Sequence, residues 1–327
     1  MNPQDEKKTV IRSNGKLMIS GEYLVLSGAE SLTLPLKKGQ KMSIARTGGI
    51  PSLSWKTTIN GCFWFEARFS IPDFAIANTN DFPTAQYVRE LLLAARKLNP
   101  GFLTGTVAYV VENELEFNVN WGFGSSSSLM YNLAVWAGVS PYELHFLVSD
   151  GSGYDIAAAG SDFPVIYSVH DHHPHVSRAG FSPAFRDKLF FVYTGRKVDS
   201  SREVSRFNGL QNTGADAVGQ ITDITRKMAV SKDFSQFTGF LEDHEAIISG
   251  VIGKKPVGKT EFKDFKGVVK SLGAWGGDFL LMATDLPVEY MVTYLRKKDL
   301  KTWFRYDDIV LWHDKGSELN ESNRYGT

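Results

Sequence analysis

One short segment constrains the architecture of this 327-residue chain more than any other. Gly122-Phe123-Gly124-Ser125-Ser126-Ser127-Ser128 stands directly before a run in which Leu129, Leu133, Trp136 and Ala137 recur at i, i+4, i+7 and i+8. That spacing puts the four on one face of a helix, expected over Ser125 to Ala137. Two glycines ahead of a helix let the backbone approach a ligand closely, and the helix start offers unpaired N–H groups at the positive end of the peptide dipole. The serine hydroxyls can add hydrogen bonds to phosphate oxygens, or one of them can ligate Mg²⁺. A plain helix N-cap in a serine-rich turn satisfies the same pattern. The segment is neither the P-loop pattern, because no lysine follows the last glycine, nor the dinucleotide fingerprint.

The rest of the chain is organised around that turn. Up to about residue 70, short alternating segments (Thr9 to Arg12, Lys16 to Ser20, Met42 to Arg46, Cys62 to Phe69) are separated by glycine-bearing turns, a pattern of antiparallel sheet. Val88, Leu91, Leu92 and Ala95 then predict a helix over Asp81 to Leu98, stopped by Pro100-Gly101. Strands are expected at Thr106 to Val111, Phe163 to Val169 and Leu189 to Tyr193, with helices at Pro141 to Val148 and Gly153 to Ala159. A boundary near residues 180 to 188 divides the chain into an N-terminal unit, 1–183, and an α+β unit, 184–314, followed by a polar tail, 315–327. In the second unit, helices are expected at Ser200 to Leu210, Asp216 to Ala229, Phe234 to Val251 and Val288 to Lys297, and strands at Phe279 to Ala283 and Ile309 to Trp312.

Composition narrows the partners. Thirty-six basic residues balance thirty-six acidic ones, so no whole-chain field favours nucleic acid or an anionic membrane, and a small-molecule ligand is expected instead. The single cysteine, Cys62, excludes an intrachain disulfide and any multi-cysteine metal site. Met1 to Val10 lacks the apolar core of a signal peptide, and no apolar run reaches the roughly 18 residues of a membrane helix. A soluble cytoplasmic protein, monomer or homodimer, is the expectation.

Three more segments accompany the glycine–serine turn. Gly15-Lys16-Leu17-Met18-Ile19-Ser20-Gly21-Glu22-Tyr23 sets a lysine at a strand start, then a turn with a carboxylate and a phenol. Gly151-Ser152-Gly153-Tyr154-Asp155-Ile156-Ala157-Ala158-Ala159 places an aspartate in the first turn of a small-residue helix. Gly273-Ala274-Trp275-Gly276-Gly277-Asp278 is a glycine-rich turn entering a strand. In order and spacing the four resemble the GHMP kinases, over about residues 9 to 290. Gly21-Glu22-Tyr23, Asp278, and Thr194-Gly195-Arg196-Lys197 with Ser200-Ser201-Arg202 and Val204 look most like phosphomevalonate kinases, with mevalonate kinases next. The Gly-Tyr-Asp-Ile-Ala string resembles a bacterial subfamily of GHMP kinases.

The resemblance implies a two-domain α+β fold, an N-terminal domain like ribosomal protein S5 and a ferredoxin-like C-terminal domain. It implies ATP and Mg²⁺ as cofactors and a small anionic acceptor, with mevalonate or phosphomevalonate foremost. Asp155 is expected to accept or orient the acceptor hydroxyl proton, and Lys16 to neutralise the migrating phosphoryl group. Gly122, Gly124, Ser125, Ser126 and Ser127 would surround the nucleotide phosphates, with Ser126 and Glu143 on the metal. Glu22, Tyr23, Lys197 and Gly276 would line the acceptor pocket, and Arg196 or Arg202 could join Lys197 in holding an anion. A solvated helix charge at Glu143, a buried turn carboxylate at Glu22 and a dipole-satisfying charge at Asp155 remain the structural alternatives.

Departures from the family pattern concern the loop and the acceptor side. Asn118 and Asn120 stand where proline and a glycine are usual, Phe123 replaces leucine, Ser127 replaces alanine and Trp275 replaces a glycine. A tryptophan there is expected either to fill space left by the substrate or to narrow the site. The run His170-Asp171-His172-His173-Pro174-His175 reads as a polar hairpin tip rather than a metal site, and Lys254-Lys255 and Lys297-Lys298 as solvated faces. Two alternatives stay open: a kinase for another alcohol, such as homoserine or a sugar, and a GHMP-fold protein that binds nucleotide or metabolite without turnover.

Overall fold

The computed structural model describes residues 8–197, 200–208, 215–275 and 278–312. Its first half is built on a long antiparallel ribbon. β1 (Thr9–Ser20) pairs with β2 (Ser31–Thr47) through a register shift at Asn14/Gly15, so the two segments expected at Thr9 and Lys16 are one strand. β2 also pairs with later strands on its other edge, and the eight-stranded sheet is completed by β3 (Ser52–Ile59), β4 (Cys62–Ser70), β5 (Ile76–Thr79), β6 (Ala108–Leu115), β7 (Val165–His170) and β8 (His173–Arg178). Its order is β5-β4-β3-β6-β2-β7-β8, and β3 with β6 is the parallel pair.

Helices cover one face. α1 (Phe82–Leu98) starts where the Asp81 side chain accepts the Thr84 N–H, and it buries Val88, Leu91, Leu92 and Ala95. α2 (Ser125–Ala137) has the limits expected from its spacing; α3 (Pro141–Val148) and α4 (Tyr154–Ala159) follow. α1, α2 and the sheet share a core containing Trp55, Phe65, Phe69, Leu91, Leu92 and Leu133.

The second sheet, order β10-β11-β9-β12, is antiparallel and made of β9 (Leu189–Tyr193), β10 (Val268–Ser271), β11 (Phe279–Ala283) and β12 (Trp303–Arg305). Around it lie α5 (Ser200–Asn208), α6 (Ala215–Val230), α7 (Phe234–Ile252), α8 (Val288–Lys297) and α9 (Tyr306–Ile309). The strand expected at Ile309 to Trp312 is not formed: Tyr306–Ile309 is a short helix, and Val310 makes a single bridge to Leu36. The Lys315-onward tail and Leu210 lie outside the described residues.

Period-two alternation along β1 explains how the halves meet the site. Leu17 and Ile19 point into a core shared with Phe191, Phe237, Leu241 and Leu281 of the second half, while Met18 packs on Ala157, Val165 and Tyr167. Lys16 therefore faces the side that carries α2 and α4. Buried polar contacts fix α2 there: Ser13 Oγ donates to Ser128 O at 2.9 Å, Ser128 Oγ to Gln40 Oε1 at 2.8 Å, and Asn132 Nδ2 to Gln40 O at 3.0 Å.

Candidate active site

A cavity of about 1020 Å³ lies between the halves, lined by Lys16, the 122–127 loop, the 145–155 segment, Lys197, Glu203 and the Leu272–Ala274 and Asp278–Phe279 stretch. The glycine–serine loop forms one wall. The Asn118 side chain accepts the Asn120 N–H at 2.9 Å, which turns the chain into Gly122 (φ 65°) and then Gly124 (φ 87°). A Cβ at Gly122 would meet the Asp278 carboxylate at 2.5 Å, and one at Gly124 would meet Ser127 Oγ at 2.6 Å and Lys16 Cγ at 3.2 Å. Both positions thus need glycine for backbone angle and for space. Gly124 occupies the N-cap of α2, so no side chain caps the first turn. Its N–H groups and Ser125 and Ser126 border the cavity.

The serines divide the work. Ser127 Oγ donates back to Gly124 O at 3.0 Å and shapes the turn, whereas Ser126 Oγ is hydrogen-bonded to the Tyr87 hydroxyl of α1. Phe123 holds the loop from behind. It is fully buried, its ring 4.6 Å from that of Phe279 in a stacked arrangement and 5.6 Å from that of Phe117 at an edge.

Lys16 approaches the loop from β1. Its N–H donates to Phe123 O at 2.9 Å, and its Nζ donates to Tyr154 Oη at 3.0 Å. Burial works against the ammonium, but Tyr154, Asp155 and Asp278 outweigh it and hold the Lys16 pKa above its ordinary value. Asp155 stands in the first turn of α4, behind Gly153 at φ 85°. The His145 ring lies under the glycines of the preceding segment, and its Nε2 contacts Gly151 O at 3.0 Å. Because a carbonyl only accepts, that nitrogen carries the proton. Tyr167 Oη adds a hydrogen bond to Ser152 O.

The residues expected to line an acceptor pocket separate. Glu22 borders the cavity, yet it is 1% exposed and its carboxylate is engaged in the interior by Lys270 of β10 and by His244 of α7. Burial alone would raise this carboxyl; Lys270 and His244 prevail and hold it at about 2. His244 Nε2 lies 3.0 Å from Glu22 Oε2 and 3.1 Å from the Gly21 nitrogen, and a neutral ring serves one of the two at a time. Burial, then Lys270, push the His244 ring below its ordinary pKa, toward that neutral form.

Tyr23 sits at φ 61°, a strained angle for a bulky residue. Its hydroxyl accepts the Trp275 N–H at 2.9 Å and donates to Glu203 of α5 at 3.4 Å, and burial above all pushes its pKa up to about 12. Lys254 donates to the same Glu203 oxygen at 2.8 Å, so this lysine is not the solvated charge its sequence context suggested. Trp275 neither fills nor narrows the cavity. It is 3% exposed and packs among Leu24, Ala29, Phe207, Ile221 and Ile248. Lys197 lines the cavity, but Arg196 turns away to a two-pronged contact with Glu261 at 2.9 and 3.0 Å. Glu143 is exposed near the start of α3, its N–H held by Ser140, and is not brought to the cavity; Leu144 and His145 take the inward phase of that helix. Gly276 lies outside the described residues. The histidine run forms the β7–β8 hairpin, and no cluster of three or more metal-ligating side chains occurs among the described residues.

Tyr87, Tyr154, His145 and Glu203 line the cavity without having been singled out as site residues from sequence, and Lys254, expected to be a solvated charge, is bonded to the last of them. Tyr154 alone carried a local signal, as the neighbour of Asp155 in its motif.

No protein-family model and no curated protein matches the chain. Solved structures do. Streptococcus pneumoniae phosphomevalonate kinase, in complex with phosphomevalonate and AMPPNP, superposes with a TM-score of 0.68 at 16% identity, over 91% of this chain and 99% of that one. L. major mevalonate kinase with R-mevalonate gives 0.65 at 15% identity, over 93% and 98%. Lactococcus lactis galactokinase with galactose gives 0.62 at 13% identity, over 94% of each chain. Near-complete coverage of kinases that take different acceptors is a statement about architecture, and by that measure the chain is built on the GHMP kinase fold.

Proposed function

We propose that the chain is an ATP- and Mg²⁺-dependent small-molecule kinase whose acceptor is anionic, mevalonate or phosphomevalonate. The observation that carries this is the meeting, in one cavity, of the start of α2 with no side-chain cap, the Lys16 ammonium and the Asp155 carboxylate. Phosphoryl transfer asks a protein for charge neutralisation and in-line positioning more than for covalent chemistry. The first-turn N–H groups of α2 and Ser125 would hold the nucleotide phosphates. The donors fit a hard cation accompanying them: the Ser126 hydroxyl and the Asp155 and Asp278 carboxylates border the same space, and such an ion keeps water and phosphate oxygens as its other ligands. Bound there, it would neutralise phosphate charge. Asp155 would take or orient the acceptor hydroxyl proton, Lys16 would stabilise charge on the migrating group, and Lys197 would hold the acceptor anion. Such an enzyme would work in the cytoplasm.

A second reading, transfer to an uncharged alcohol such as a sugar, is favoured by the commitment of Arg196 to Glu261, which leaves fewer cations at the acceptor end. An ATP-consumption screen against mevalonate, phosphomevalonate, homoserine and galactose decides. Turnover of the first two supports the proposal, and preference for galactose promotes the second reading. Nucleotide binding with no turnover on any acceptor leaves a binding protein.

A further inference from the structure

Lys16 is held at its root and along its stem. Its backbone N–H is bonded to Phe123 O, and the place of a Cβ on Gly124 lies 3.2 Å from Lys16 Cγ, so the aliphatic stem runs along the glycine loop. The ammonium is 3.0 Å from Tyr154 Oη and 5.2 Å from the ring centroid, so the contact is made through the hydroxyl oxygen rather than the ring face. Tyr154 and Asp155 are the first two residues of α4. One helix start therefore presents a tether for the lysine and, next to it, a carboxylate. That start is itself held, by His145 on Gly151 O and by Tyr167 on Ser152 O.

Building on the kinase proposal, we propose that Tyr154 is a positioning residue: its hydroxyl holds the Lys16 ammonium beside Asp155, where phosphate and acceptor must meet, and full turnover requires that tether. A lysine on a four-carbon stem samples many rotamers, and a single directed hydrogen bond removes most of that freedom. The groups that face Lys16 are Tyr154 and Asp155 from α4 and Asp278 from the turn before β11. Glu22, from the turn after β1, acts on Tyr154 in turn, opposing loss of its proton. Removing the Tyr154 hydroxyl leaves both aspartates in place, so Lys16 stays charged near neutral pH while its titration moves to lower pH.

The test is Tyr154→Phe in the full chain, with thermal melting to confirm folding. Competitive labelling of Lys16 by an amine-reactive reagent across pH reads the tether without any turnover, and calorimetry with Mg²⁺-AMPPNP reads the nucleotide site. The expected result is a Lys16 titration shifted to lower pH, nucleotide affinity within about threefold of the parent, and kcat reduced about 10- to 100-fold at unchanged acceptor KM. An unmoved Lys16 titration, or an unchanged kcat in Tyr154→Phe, overturns the proposal. A shifted titration in a protein whose parent form phosphorylates nothing upholds the tether and refutes the kinase reading instead.

Discussion

Replacing Glu245 with glutamine should stabilise the protein increasingly as pH rises. Glu245 is 3% exposed on α7; Oε1 accepts the Ser271 N–H at 3.2 Å, and Oε2 has no hydrogen-bond partner among the described residues. Burial, with Glu22 adding to it and Lys270 opposing, pushes its carboxyl up to about 8 from an ordinary 4.5. A raised folded-state pKa means that folding takes up a proton wherever the unfolded chain has already lost it. The favourable contribution is complete below about pH 4.5 and is lost as pH climbs through 8. At 1.36 kcal/mol per unit, the whole gap is worth roughly 5 kcal/mol, and the part falling between pH 5 and pH 8 is on the order of 3 kcal/mol. Glutamine keeps the shape and the acceptor for Ser271 but cannot ionise. Urea or thermal unfolding of both proteins at pH 5, 6, 7 and 8 gives the difference, which should grow by about 3 kcal/mol, or roughly 4 °C in Tm for a chain of 327 residues. Glu22, held at about 2, loses its contribution only in acid and leaves this window undisturbed. A difference that is flat across the range, or that grows toward acid, would show that Glu245 is ionised in the folded protein.

Three further outcomes bear on the site. Asp155→Asn should retain nucleotide binding by calorimetry while losing about 10²- to 10⁴-fold in kcat on a hydroxyl acceptor; retention of the parent kcat removes Asp155 from the mechanism. Gly124→Val, at φ 87° and with its Cβ 2.6 Å from Ser127 Oγ, should abolish measurable nucleotide affinity in a chain that still melts cooperatively, and unchanged affinity would exclude the loop as the phosphate site. Lys197→Ala should raise KM for an anionic acceptor about tenfold or more, whereas Arg196→Ala, at an exposed pair with Glu261, should leave it within about twofold. Equal effects of the two would mean that Arg196 leaves Glu261 when the acceptor binds.

What could be read from the sequence divides along physical lines. α2 and α8 have the limits their patterns implied, because periodicity and the residues at their ends are local properties. The 17-residue β2 was seen only at Met42 to Arg46, since Pro35, Lys37-Lys38 and Gly39 break its alternation. Apolar residues at 309–312 imitate a strand, but a three-residue β12 comes just before them and the chain turns into α9. In the site, Lys16, Asp155 and the 122–127 loop were legible because each belongs to a compact motif. The partners of Glu22 were not: Lys270 and His244 lie more than two hundred positions away, and no period or spacing announces a buried ionic pair. Glu143 and His145 show the same limit at short range. Their separation from Asp155 is similar, and only the rotational phase of α3, set by what packs on Leu144, decides which side chain turns inward.

Phe123 has an evolutionary corollary. The loop belongs to the first half of the chain, yet the ring at its centre is stacked on Phe279 and set near Phe304 of the second half, with Trp121 beside them. Recombination that exchanged the second half for that of another protein of this fold would bring in a socket shaped for a different side chain. Substitutions at Phe123, Phe279 and Phe304 should therefore be energetically coupled, because each ring packs against the other two.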